Sequence, residues 1–246
     1  YFLGPETHFF NKMGAFYRWQ FKLPFVEVCN SWNHVASLRL NGANVVEMYG
    51  IKKSEYFSYF GGLISRRRRA FLSLIEQSAY KAGYQRWLEK TPNHIAYLRQ
   101  IRGIFRDAPI ISISRDPRDS VMSMQKLPWV KSVNHACNVV RSWHAESVQF
   151  LRTDKRCLRV RFEDFVEDPR KTLDGIFSWL EVTPTEGREV EHPRRFIAPG
   201  EWWKNEVSDP IRKEHAFKFR CEPCKERNKV ISDICENYIR FHEYDP

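Results

Sequence analysis

Apolar positions along this chain recur with two different periods, and the alternation between them sets the expected fold. From Leu63 to Ala82, the residues Leu63, Phe71, Leu74, Ile75, Ser78 and Ala82 share one face of a helix. Ile95, Leu98, Ile101 and Phe105 mark the buried side of a second helix, with Thr91 placed to cap it and Pro92 at its first position. Val133, Cys137, Val140, Trp143, Ser147 and Leu151 predict a longer amphipathic helix. A helix opening at Asp168-Pro169 carries Leu173, Ile176, Phe177 and Leu180 inside, and Val230, Ile231, Ile234, Tyr238 and Phe241 suggest a last one. Between these lie short apolar runs of strand length. Tyr1 to Leu3 reads as the tail of a strand, Trp87 to Lys90 as a strand end, and Ile110, Ile111 and Ile113, then Leu158 to Phe162, as strands. Ala43 to Met48 fits either a short strand or a helix end, and the aromatic-rich Phe16 to Phe25 fits no period. Strands alternating with helices predict an α/β fold with a central, mainly parallel sheet flanked by helices. No internal repeat or linker interrupts the pattern, so a single domain over 1–246 is expected.

Composition narrows the class. Apolar residues make up 42% of 246 residues, an ordinary globular proportion with enough chain for a real core. No run of about 18 apolar residues occurs, so no transmembrane helix is expected. The charge balance, 40 basic against 30 acidic residues, gives +10 and favours capture of anions: a nucleotide, an anionic glycan, nucleic acid or an anionic membrane. The run Arg66 to Arg69 points all round a helix and reads as solvated rather than as a nucleic-acid site. Of the six cysteines only Cys221 and Cys224 are closely spaced. With no second pair or paired histidines, reduced thiols or one local disulfide is preferred over zinc. No Asn-x-Ser/Thr sequon occurs, which disfavours a glycoprotein.

The chemistry centres on PIISISRDPRDSVMSMQ, Pro109 to Gln125. A strand that ends in an arginine turn and feeds a helix can hold an anion, because backbone N–H groups and the helix dipole favour negative charge there. Arg115 can add a charge-assisted fork, and Ser123 follows about two helical turns later. Three polar clusters fall at expected strand ends: Glu6 to His8, Lys90-Thr91, and Arg115 to Ser123. In open α/β sheets ligands bind beyond the carboxyl ends of strands. A carboxylate, an ammonium and an anion cradle together suit transfer of an anionic group from a nucleotide to a hydroxyl.

These segments resemble those of the PAPS-dependent sulfotransferases. The matching pieces are PETHFF at 5–10, WLEKTPNH at 87–94, ISISRDPRDSVMS at 111–123, RVRFEDFVEDPRKTL at 159–173 and GEWWKN at 200–205, in the family's order. The resemblance implies a P-loop-NTPase-like sulfotransferase architecture with PAPS as co-substrate and no metal. It implies that Arg115 and Ser123 bind the 3′-phosphate of PAPS and that Glu6 is the general base, with His8 as alternative or helper. Lys90 would touch the sulfo group or acceptor, and Lys204 would match a lysine of the loop that covers the cofactor. Glu163 and Asp164 are expected to order the loop after their strand, and Trp143 to be core rather than an adenine platform. Thr183 to Trp203 is expected to form an ordered loop over the site.

One departure matters. The family's 5′-phosphosulfate loop, of the PRSGTT kind, comes just before the PETHFF-like segment and has no counterpart here, nor is there a GxxxxGK[ST] substitute. The expectation is therefore an N-terminally truncated domain that recognises the 3′-phosphate and turns over little. The expected partner is a small-molecule or carbohydrate acceptor and not nucleic acid. The expected location is cytoplasmic, or the Golgi lumen if an N-terminal anchor has been removed. The competing readings are a non-catalytic nucleotide or anion sensor and a basic nucleic-acid-binding protein.

Overall fold

The computed structural model describes residues 2–3, 6–7, 9–10, 32–33, 35–40, 42–58, 66–183, 210–221 and 224–245. They fall into two compact units, one within 1–106 and the other within 107–183 and 210–245.

In the first unit, β1 (Phe2–Leu3) pairs in parallel with β4 (Trp87–Leu88). A hairpin of β2 (Arg39–Leu40) and β3 (Ala43–Asn44) turns at Gly42, which takes φ +88°, a conformation glycine adopts at no steric cost. Asn44 then caps α1 (Val45–Met48) by accepting from Val46 N–H at 2.9 Å, so the ambiguous Ala43–Met48 stretch is strand and helix in succession. After α2 (Lys53–Ser58) comes α3 (Arg66–Lys81), which buries Phe71, Leu74 and Ile75 as its periodicity predicts. Pro92–Tyr97 forms a 3-10 turn that leads into α4 (Leu98–Ile104). The core on this side is aromatic. Phe71 meets Phe9, Trp87 and Phe105 edge-on, with ring centroids 5.2 to 5.7 Å apart, a favoured geometry for aromatic pairs.

The second unit is built on a parallel crossover. β5 (Ile110–Ser114) runs beside β6 (Cys157–Arg161) in register from Ile110 opposite Cys157 to Ser114 opposite Arg161. The connection contains α5 (Pro117–Met124) and α6 (Val133–Thr153). Each helix start carries a cap: Asp116 accepts from Arg118 N–H at 2.9 Å ahead of Pro117, and Ser132 accepts from His135 N–H at 3.1 Å. Beyond β6 follow α7 (Phe162–Glu167) and α8 (Pro169–Trp179), then 3-10 turns at Lys213–His215 and Lys218–Arg220. The expected last helix is two helices, α9 (Lys225–Ile234) and α10 (Glu236–Phe241). Val121, Ala136, Cys137, Val140, Ile231 and Cys235 make the core between α5, α6 and α9. Full burial of a residue such as Ile231 is worth about 1.5–3 kcal/mol. No residue of α8 is fully buried, so Leu173, Ile176 and Phe177 form a half-covered face where a core face was expected.

The fold is thus α/β with parallel strand pairing, as the alternation of periods predicts. No described helix is long and apolar enough to cross a membrane. The Phe16–Phe25 stretch and the expected loop over Thr183 to Trp203 lie outside the described residues, apart from Thr183 itself.

Candidate active site

Because β1 and β4 are parallel, the segments that follow them leave in the same direction, and Glu6 and Lys90 meet beyond them. The Lys90 ammonium donates to Glu6 Oε1. The Glu6 side chain is 10% exposed and that of Lys90 is 60%, so a shielded carboxylate is reached by a cation from solvent. Water reaches the Lys90 end and screens the pair, so it adds little to stability and its importance is positional.

Glu89 turns inward and collects both segments. Its carboxylate accepts from Thr7 Oγ1 at 2.8 Å, Thr91 Oγ1 at 2.6 Å and His94 Nδ1 at 2.9 Å. Thr7 N–H donates to Thr91 Oγ1 at 3.1 Å, and Phe10 N–H donates to His94 Nε2 at 3.3 Å. The last bond fixes the tautomer: Nε2 accepts, so Nδ1 carries the hydrogen given to Glu89. Burial alone pushes the Glu89 carboxyl up; the bonds from His94, Thr91 and Thr7 outweigh it and hold the group below its ordinary value. An imidazole on a carboxylate looks like a proton-transfer dyad, but the outer nitrogen is occupied by Phe10, so this pair fastens chain segments together. Thr91 stands at the expected cap position, yet its hydroxyl makes no cap bond: its oxygen accepts from Thr7 N–H and its hydrogen goes to Glu89.

In the second unit Arg115 is the first residue after β5. Its Nη2 donates to His215 C=O at 2.8 Å and to Asp119 Oδ2 at 3.3 Å, and the guanidinium lies 4.8 Å from the Phe162 ring centroid. Its Nε is buried and has no partner. Asp119, fully buried, also accepts from Phe219 N–H at 2.9 Å and Lys218 N–H at 3.2 Å, which ties the 213–220 segment to α5. Ser123 lies one turn beyond Asp119, on the same face of α5, and is exposed. No hydrogen bond joins Ser123 to Arg115. His8 and Lys204 lie outside the described residues.

The Arg115 turn is held by residues far away in sequence. Tyr238 OH accepts from Arg115 N–H at 3.3 Å and donates to Arg115 C=O at 3.2 Å. Glu163 was expected to order the loop after its own strand. Its carboxylate instead reaches across to Asp116 N–H at 2.9 Å and accepts from Tyr244 OH at 2.9 Å. Arg118 chelates Asp116 at 2.9 and 2.8 Å and reaches Asp245 C=O at 2.6 Å. Trp143 is half-buried on α6. Cys221 and Cys224 are free, exposed thiols, and no metal-holding group of His, Cys, Asp or Glu occurs among the described residues.

Sequence reasoning missed Glu89, His94, Tyr238 and Tyr244. A signal existed for the first two. Glu89 and Thr91 are two apart on an extended segment and share a side, and His94 follows Thr91 at helical spacing. No local pattern points to the tyrosines.

A parallel strand that feeds an arginine turn and a helix N-terminus in an α/β fold is an arrangement that can hold an anion. A model described as the Sulfotransferase family matches residues 55–186, more than half of the chain, and the chain belongs to that family. Two solved structures share the fold. The sulfotransferase domain from the curacin biosynthetic pathway aligns at 16% identity and a TM-score of 0.56, over 99% of this chain and 97% of its own. The sulfotransferase domain from the Synechococcus PCC 7002 olefin synthase aligns at 19% identity and a TM-score of 0.59, over 99% of this chain and 85% of its own. Comparison with curated proteins gives no match.

Proposed function

We propose that the chain transfers a sulfo group from PAPS to a hydroxyl, or an amine, of a glycan or small-molecule acceptor and releases adenosine 3′,5′-bisphosphate. The observation that carries the reading is the buried, unpartnered Nε of Arg115, one residue ahead of the cap of α5. An unpaired buried donor costs about 1–3 kcal/mol, and a phosphate oxygen is the acceptor that a guanidinium at a helix start suits best. Ser123, on α5 itself, is the second donor.

When bound, PAPS supplies the sulfo group. The chain's own residues do the rest. Arg115 and Ser123 hold the 3′-phosphate. Glu6 accepts the proton of the acceptor hydroxyl. Lys90 pairs with Glu6 until the acceptor arrives, then turns its charge to the group being transferred. His8 helps or replaces Glu6, and Lys204 closes on the cofactor, as the family resemblance suggests. The reading asks for no metal, because fixed cations balance the leaving phosphate.

Calorimetry with adenosine 3′,5′-bisphosphate tests the nucleotide half. The wild-type chain binds, and Arg115→Ala weakens binding by about 100-fold, the loss of one or two charge-assisted bonds. No binding by the wild type, or equal binding by the variant, overturns the reading. Glu6→Gln keeps the same affinity and loses sulfo transfer to a panel of hydroxyl acceptors. Transfer at an undiminished rate removes Glu6 as the base and leaves His8.

A further inference from the structure

An arginine can grip a phosphate only if its backbone is fixed, and β5 alone does not fix Arg115, because the strand ends at Ser114. The residue lies between strand and helix, where neither ladder holds its N–H or its C=O. The hydroxyl of Tyr238, 123 residues further along the chain, takes the N–H at 3.3 Å and donates to the C=O at 3.2 Å, which Ser120 Oγ reaches only at 3.4 Å. Tyr238 is itself wedged. Its ring stacks nearly parallel to Tyr244, at 6.4 Å and 6°, and packs against His242 at 4.4 Å and His144 at 5.4 Å. Tyr244 continues the clamp. Its hydroxyl donates to Glu163, whose other oxygen takes Asp116 N–H, and meets Ser114 Oγ at 3.3 Å. The residues on either side of Arg115 are therefore also held from the C-terminal segment.

We propose that Tyr238 is a positioning residue for the nucleotide site: it fixes the Arg115 backbone, and through it the guanidinium, so that the last helix of the chain sets the affinity for a ligand's 3′-phosphate. This rests on the proposed function above, in which Arg115 binds that phosphate. Removing the hydroxyl leaves the ring and its packing in place but frees the Arg115 N–H and leaves the C=O only the longer bond from Ser120 Oγ. The guanidinium then samples orientations in which its Nε no longer faces the anion, and the penalty falls on ligands that carry a 3′-phosphate.

The test compares adenosine 3′,5′-bisphosphate with adenosine 5′-monophosphate, which differs by that phosphate alone. Calorimetry on the wild-type chain, Tyr238→Phe, Arg115→Ala and Ile231→Val gives the ratio of the two affinities for each. In the wild type the bisphosphate binds far more tightly, and Arg115→Ala abolishes the preference. Tyr238→Phe cuts the preference by about tenfold through the bisphosphate alone, comparable to loss of one hydrogen-bonded constraint. Ile231→Val lowers stability from the neighbouring helix without touching Arg115 and keeps the wild-type ratio. A Tyr238→Phe ratio equal to wild type overturns the positioning role. So does an equal fall in Ile231→Val, which makes the effect one of general stability. If the wild type itself shows no preference, the 3′-phosphate reading fails first.

Discussion

Glu89 in the first unit and Glu163 in the second do the same physical task with different partners. Each is a buried carboxylate that collects donors and so fixes a strand-end turn. Glu89 takes side-chain donors, two hydroxyls and an imidazole, from the two segments that follow β1 and β4. Glu163 takes a backbone N–H from the Arg115 turn and a phenol from the end of the chain. The first knot is therefore almost self-contained: apart from Thr7 and Phe10, everything in it lies between Glu89 and His94. The second is assembled from the residues after β5, after β6, around His215 and beyond Tyr238. A turn that many remote segments hold is adjustable from a distance; one tied by its own neighbours is not. The contrast predicts that damage to the Glu89 knot stays local and severe, while damage around Arg115 is milder and felt as altered anion affinity.

The largest effect expected is from Glu89→Ala. It leaves Thr7, Thr91 and His94 with donors aimed into a buried void. At about 1–3 kcal/mol for each of the three orphaned groups, the substitution costs about 3–9 kcal/mol. Hydrogen exchange followed by mass spectrometry should show protection falling in peptides from 87–105 while those from 110–125 and 157–165 keep theirs. Equal loss in both sets would erase the proposed distinction between a local and a distributed knot.

Acid separates the same two regions by a different route. Burial holds His242 neutral and drops its pKa to about 3, with His144, Arg159 and Arg161 facing it and adding to the shift. His144 is lowered as well, chiefly by burial and further by Arg152. For a base with a depressed folded pKa, the unfolded state binds more protons below about pH 6.5, so stability falls as pH falls from there towards the folded value. For His242 the loss is about 2 kcal/mol by pH 5 and on the order of 4 kcal/mol near pH 3. Glu89 is a carboxylate with a lowered pKa, so its contribution is intact above the ordinary carboxylate value and fades only below it. Between pH 6.5 and 5, exchange protection should therefore drop in peptides from 140–150 and 236–245 before it drops in 87–105. His242→Phe should remove most of that early loss, because a phenyl ring fits the same aromatic cluster and takes no proton. A simultaneous loss in both regions at pH 5 would place the acid sensitivity elsewhere.

What the sequence made legible follows this division. Helices with a clean apolar period were readable: a helix opens at Asp168-Pro169 as expected, and α6 spans Val133–Thr153 around the anticipated face. The pairing of Glu6 with Lys90 follows from two strand ends running the same way, which sequence pattern can suggest but not prove. Thr91 holds the cap position without the cap bond because its hydroxyl oxygen had two suitors, a helix N–H and Thr7 N–H, and only the tertiary placement of Thr7 decides between them. The last helix was read as continuous because the apolar spacing runs on through Cys235, where the backbone leaves helical geometry. Tyr238 looked like one more apolar position on that helix. Its hydroxyl meets Arg115 only because the chain returns to the β5 edge, and nothing local encodes that return.

A smaller effect is expected from Glu163→Gln. The amide oxygen still accepts Asp116 N–H, so the turn keeps its main support. The exchange of a carboxylate for an amide opposite Tyr244 weakens one bond, worth about 1 kcal/mol. The informative readout is the nucleotide affinity and not the melting temperature. If the Arg115 turn is a distributed device, adenosine 3′,5′-bisphosphate binding should weaken by about 3–5-fold, less than for Tyr238→Phe, which removes two bonds made directly to the Arg115 peptide groups and leaves the long one from Ser120. A stability loss as large as that of Glu89→Ala would show that Glu163 is as self-contained a knot as Glu89.

The smallest effect is expected from Lys213→Ala, and it sets the lower limit of the comparison. Lys213 pairs with Glu167 at 2.5 Å, and the two side chains are 65% and 70% exposed. The pair belongs to the same 213–220 segment that carries His215 to Arg115, so on geometry alone it could be counted among the supports of the turn. Water screens it, and holding two long side chains in one arrangement costs entropy, so exposed pairs of this kind contribute little or nothing. His215 C=O and the Asp119 carboxylate hold the segment without it. Lys213→Ala should leave the melting temperature and the affinity for adenosine 3′,5′-bisphosphate at wild-type values in 0.15 M salt. A weaker affinity at unchanged stability would mean that Lys213 reaches the anion itself, and that the segment supplies charge to the site as well as a carbonyl to Arg115.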